Sequence, residues 1–169
     1  MTAKRILSLA LALLLTLSLT ACGGKKVSYR DDVSVDELSA AVSALIPVEG
    51  GYDMSGEDFL KYYFDFDHDH TIDGYAIASS AISSDVNEYG ILHVNDPAHV
   101  ETVAELAQVY LSNQRDFLSS FLNTYNAAEL AKLEVMQVKV FGNYIVYTIL
   151  SETDTQAVME AVEGKLTAK

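Results

Sequence analysis

Apolar and polar positions fall into segments of different period, and the period sets the element each segment predicts. Ser34-Val35-Asp36-Glu37 has the form of a capping box, in which a hydroxyl and a carboxylate satisfy free amides at a helix start. Val35, Leu38, Val42 and Leu45 then share one helical face, and Pro47 stops the run. Residues 48–56 are turn-rich, with Gly50, Gly51 and Gly56, and residues 55–58 predict the cap of a short helix carrying Phe59, Leu60, Tyr63 and Phe64. Residues 75–82 and 88–94 are β-branched or apolar runs joined by a polar link at 83–87, which predicts a hairpin.

Asp96 and Pro97 open a long helix, Asp96 as N-cap and Pro97 where its missing N–H costs nothing. Val100, Val103, Ala107, Tyr110, Gln114, Phe117 and Phe121 follow at alternating spacings of three and four, and Ala104, Leu111 and Leu118 widen the stripe. Such a stripe predicts a face packed on a sheet. Asn126 predicts the cap of a further short helix. Residues 135–141 and 144–150 flank Gly142-Asn143, a two-residue turn that closes hairpins. Residues 153–156 predict the cap of the last helix, with Ala157, Val158, Ala161 and Val162 inward and Gly164 as its stop.

Two hairpin-plus-helix (ββα) units therefore follow one another. The expected fold class is α+β, a two-layer sandwich of one antiparallel sheet with helices on one face and an extra N-terminal helix. A length of 169 residues suits one such domain.

The first residues have another pattern. Lys4 and Arg5 precede a charge-free run at residues 6–19. A membrane-crossing helix needs about 20 apolar residues, so this shorter run fits the apolar core of a signal peptide. Leu19-Thr20-Ala21-Cys22 closes it and resembles a bacterial lipobox. That resemblance implies cleavage behind Ala21 and a diacylglycerol thioether on Cys22, the sole cysteine, which with fatty acyl chains such as palmitate gives stable anchoring. The expected organisation is a lipoprotein signal peptide at 1–21, a lipidated tether at 22–33 and a single globular domain at 34–169.

Charge sharpens this division. Eleven Lys and Arg oppose 24 Asp and Glu, a net −13, which excludes a nucleic-acid partner because phosphate contacts need a basic face. Lys25, Lys26 and Arg30 crowd the tether, whereas all 24 carboxylates lie from Asp31 onward, at its end and beyond it. Each tether cation gains about 1 kcal/mol beside anionic lipid, and the acidic body is repelled by the same surface. The body should sit just off the membrane, on its extracellular side.

The segments YAIASSAIS at 75–83, NEYGILHV at 87–94, NQRDF at 113–117 and VKVFGNYIVYTI at 138–149 resemble a family of bacterial lipoproteins catalogued as domain of unknown function 4358. With the lipobox, the resemblance covers about two-thirds of the mature chain. It implies a Gram-positive cell-surface lipoprotein and carries no reaction, cofactor or catalytic residue.

Candidate chemistry is confined to one stretch. Asp65, Asp67, Asp69, Thr71 and Asp73 stand at the first, third, fifth, seventh and ninth positions of a calcium loop, with Ile72 at the apolar eighth. His70 takes the place of the usual glycine, and Ala76 the place of the bidentate glutamate, which favours a solvated acidic turn over a Ca²⁺ site. His68 and His70 suit a transition metal less well, since alternating neighbours rarely close a tetrahedral site and His93 and His99 are far along the chain. The sequence holds no G-x-S-x-G, H-E-x-x-H, S-x-x-K or phosphate-cradling glycine loop. The expected function is a non-catalytic, membrane-anchored interaction module for an extracellular protein, peptide or glycan. The alternative is a lipoprotein that binds or is gated by calcium. Tyr144 and Tyr147, on opposite faces of one strand, predict at least one exposed tyrosine.

Overall fold

The computed structural model describes residues 27–48, 50–64, 71–82 and 84–167. Helix α1 (Val35–Leu45) begins as its capping sequence predicts: Ser34 is extended, and its hydroxyl accepts from the Glu37 N–H at 3.2 Å. The Glu37 carboxylate meets Lys165 at 3.0 Å. Val35, Leu38 and Val42 are buried beneath the helix. Strand β1 (Tyr52–Met54), helix α2 (Glu57–Phe64) and strand β2 (Ile72–Ser80) come next. The sequence pattern places residues 52–54 in a turn-rich stretch because Gly50, Gly51 and Gly56 flank them; only pairing with Ser80, Ser79 and Ala78 makes them a strand.

Strand β3 (Glu88–Val94) pairs antiparallel with β2, and strands β4 (Gln137–Phe141) and β5 (Tyr144–Ile149) form the second hairpin. Gly142 holds φ +63 in the turn, a conformation that side chains with a Cβ rarely adopt. The five strands lie in the order β1-β2-β3-β5-β4, so the two hairpins meet along β3 and β5. The α+β class and the antiparallel sheet are as expected.

The helices, however, cover both faces of the sheet rather than one. Along β5, Tyr144 and Val146 join α1 and helix α5 (Glu152–Thr167), whereas Ile145, Tyr147 and Ile149 join α2, helix α3 (Val100–Tyr125) and helix α4 (Leu130–Glu134). All six β5 residues are buried, so neither face is left for solvent. A continuous apolar strand is the mark of two-sided burial. Tyr144 and Tyr147 are consequently both buried, against the expected exposure of one.

A single 3-10 turn (Pro97–His99) precedes α3, and the Asp96 carboxylate caps it by accepting from Ala98 N–H at 2.9 Å. The stripe expected to pack on the sheet does so only in its first half. Val103, Ala107, Tyr110 and Leu111 are buried, but Phe117 is 75% exposed and Phe121 is also exposed. A helix of 26 residues spans about 39 Å, well beyond strands of about 20 Å. The overhanging half is met from below by a 3-10 turn (Ala127–Glu129) and α4, which bury Leu122. Asn126 does not cap that turn; its amide donates to the Ser84 carbonyl at 3.0 Å.

The last helix also departs from its sequence signals. Ser151 caps it, accepting from Asp154 N–H at 3.1 Å, so α5 starts before the expected cap at 153–156. Gly164 does not stop it. Helix α5 continues to Thr167 because Leu166 is fully buried, and burying a leucine gains about 1.5–3 kcal/mol, more than the roughly 1 kcal/mol cost of an interior glycine.

Candidate functional site

Two groups of chemically capable side chains are assembled by the sheet. The first lies at the end where β3 finishes and the β4–β5 turn sits. His93 is the penultimate residue of β3, and its Nε2 donates to Asp31 Oδ1 at 2.9 Å while Nδ1 pairs with Asp73. Asn143, from the turn, donates to the other Asp31 oxygen at 3.1 Å. The imidazole packs 4.6 Å from the Tyr144 ring, whose hydroxyl donates to the Val33 carbonyl at 2.7 Å. These contacts line an open cleft of about 490 Å³ with Asp32 and Asp36 on its rim.

Burial opposes a charge on His93, but the hydrogen bonds its two ring nitrogens donate to Asp31 and Asp73 outweigh that cost and raise its pKa above 6.5. Only the imidazolium donates from both nitrogens, so this geometry selects it. The site also fastens the tether. Val33 is buried, the Tyr29 ring meets Phe141 edge-on at 5.5 Å, and Arg30 N–H donates to the Leu166 carbonyl at 2.8 Å.

The second group lies on the α3 side of the sheet. Glu88, first in β3, accepts from Tyr110 and Tyr147 at Oε1, at 2.8 and 2.9 Å, and from Ser79 at Oε2, at 3.1 Å. Burial raises the Glu88 pKa, and the three hydroxyl donors partly offset the rise. Burial beside this carboxylate likewise pushes both tyrosine hydroxyls well above 10. The acid is therefore held by donors that do not ionise in the physiological range. Near the far end of the sheet, the Lys132 ammonium donates to Asp85 at 3.2 Å and Asn87 at 2.7 Å, and also meets Glu129. This ties the β2–β3 link to α4.

Of the residues expected to carry chemistry, Cys22, Asp65, Asp67 and Asp69 lie outside the described residues, as do His68 and His70. Thr71 is buried, with its carbonyl accepting from Asn95 N–H at 3.1 Å, and Asp73 gives its carboxylate to His93. Ala76, at the twelfth loop position, is buried within β2 against α1 and α5. Among the described residues, no group of three or more His, Cys, Asp or Glu side chains is placed to hold a metal ion. His99 is exposed, whereas His93 is mostly shielded, with 16% of its side chain accessible.

Sequence reading missed Glu88 and its tyrosines. The available signal was an acidic residue sharing a strand face with Gly90, Leu92 and Val94, which implies a buried carboxylate needing donors. Among the described residues, no helix is long and apolar enough to cross a membrane. A family model described as Domain of unknown function (DUF4358) matches residues 51–150, from β1 through β5. No curated protein and no solved structure matches the chain.

Proposed function

The chain belongs to the DUF4358 family, and we propose that this member is a lipid-anchored, non-catalytic binding module displayed on the outer side of a bacterial membrane. The observation that carries this reading is the short distance along the chain between the lipobox cysteine and the fastened tether. Cys22 precedes Asp31 by nine residues, and Asp31 is bound to His93 and Asn143 on the sheet. An extended chain of that length reaches at most about 30 Å. A lipid on Cys22 therefore keeps the His93 end of the body near the bilayer and turns the opposite end, with the β2–β3 link and the overhang of α3, outward.

The interior supports binding over bond-making. Glu88, His93 and Lys132, the strongest acid-base candidates, are each committed to several partners of the fold. The acidic body favours cationic partners and repels polyanions.

Two measurements on the full-length chain test the proposal. Cys22→Ser should release the protein from the membrane fraction, and mass spectrometry of the native form should find acyl chains on the N-terminal residue. Retention of the serine variant in the membrane, with no acyl mass on the native protein, rejects the anchor. Cross-linking on intact cells should then recover an extracellular partner from the wild type and far less of it from Cys22→Ser.

A further inference from the structure

We propose that the open edge of β4 is a docking site for an extended, basic peptide segment of a partner, which adds to the sheet as a sixth strand. This rests on the binding-module reading and specifies where and what such a module binds. Among the described residues β4 pairs only with β5, which leaves its other side as a sheet edge. The two-residue turn makes Phe141 and Tyr144 the hydrogen-bonded pair, and pairs alternate from there. Lys139 and Gln137 thus direct their backbone groups at β5, whereas Val138 and Val140 direct theirs at the open side.

Grooves flank this edge on both faces of the sheet. The one beside α5 measures about 740 Å³, and its charged lining is Glu152, Glu160 and Glu163 against Lys139. Lys139 is already bound to Glu163 at 3.0 Å, so the groove is left with an excess of negative charge. The groove beside α3 measures about 290 Å³ and is lined by apolar Leu111, Met136 and Val138, with polar neighbours and the Arg115 guanidinium, whose Nε donates to the Leu133 carbonyl at 3.1 Å. Side chains of an added strand alternate between these two grooves. Strand addition draws affinity from the main chain and specificity from such alternate pockets. Lys or Arg facing α5 and β-branched residues facing α3 match them. A second copy of this chain matches poorly, because edge-to-edge pairing of two β4 strands sets two α5 helices, each with the same three glutamates, side by side.

The test titrates a labelled eight-residue peptide alternating Lys and Val into the full-length chain in detergent, with a Glu-for-Lys twin as control. The Lys peptide should bind and weaken with salt, and the Glu twin should not bind. N-methylating the peptide amides in alternate sets should weaken one set by about tenfold or more and leave the other unchanged, since only one set faces β4. Val140→Pro should lose a similar factor, and if that variant does not fold, the methylated peptides decide alone. Equal binding of the Glu twin, equal effects of both methylation sets, or no binding at all overturns the proposal. So does self-association that Val140→Pro abolishes, which would assign the edge to a second copy. The titration needs no acyl chain, so membrane retention with no peptide binding removes the edge site alone, and the converse removes only the anchor.

Discussion

Gly90 of β3 lies directly beneath the ring of Tyr147, its partner across β5. A Cβ built on Gly90 would come within 2.7 Å of Tyr147 Cδ1 and closer still to Cε1 and Cζ. The missing side chain is what lets the ring lie flat across the neighbouring strand, and so lets its hydroxyl reach Glu88, two residues before Gly90.

Gly90→Ala should therefore destabilise the protein by about 1–3 kcal/mol through overpacking, since ring and strand must move apart. Thermal unfolding followed by circular dichroism checks this. A melting temperature equal to that of the wild type contradicts the packing described.

Tyr110→Phe removes one of two hydroxyls that share Glu88 Oε1 and should cost about 1–3 kcal/mol. The Glu88 pKa, already raised by burial, should rise further, because a group that lowers it is gone. Carboxyl-carbon NMR titration of wild type and variant measures the shift. A double-mutant cycle with Tyr147→Phe should be non-additive, since the remaining hydroxyl can compensate for either loss.

His93 makes stability depend on pH in a defined direction. Its pKa is raised in the folded state, so the contribution is fully present below about 6.5 and is lost as pH rises through the folded value. Asp31 and Asp73 are substantially exposed, and solvent screening limits the contribution to about 1 kcal/mol or less. Urea unfolding at pH 5.5 and 8.5 should show the wild type more stable at the lower pH by that amount. The difference should shrink in His93→Gln. An imidazole titration midpoint at or below that of the unfolded chain would remove the basis for this expectation.

Gly164→Ala should stabilise the protein by about 0.5–1 kcal/mol. Gly164 lies inside α5, and a Cβ there meets nothing within 4 Å. A loss of stability in this variant would mean that α5 ends near Gly164 instead of continuing to Leu166.

Particular residues show how far the chain's pattern carries. The Ser34 cap, the Asp96-Pro97 helix start and the Gly142-Asn143 turn depend on neighbours within four residues, and each forms where the pattern places it. Gly164 reads as a stop only while Leu166 is taken as solvent-exposed; the core it enters belongs to α1, β5 and α5 together. Phe117 reads as a sheet contact only while the sheet is taken to be as long as the helix. Asp31 reads as tether, since its partners His93 and Asn143 lie 62 and 112 residues away.

By itself, the sequence determined most of the local elements, the two hairpins, the α+β class, and the separation of a basic N-terminal stretch from an acidic remainder. Period, capping and turn chemistry act over a few residues, and net charge is a sum that needs no geometry. Only the tertiary structure decided that helices cover both sheet faces, that Glu88 is met by three hydroxyls, that His93 fastens Asp31, and that β4 stands at the edge of the sheet among the described residues. Each of these depends on which strands become neighbours. Strand order is fixed by the joint burial of distant apolar faces, a condition that no single window of the chain contains.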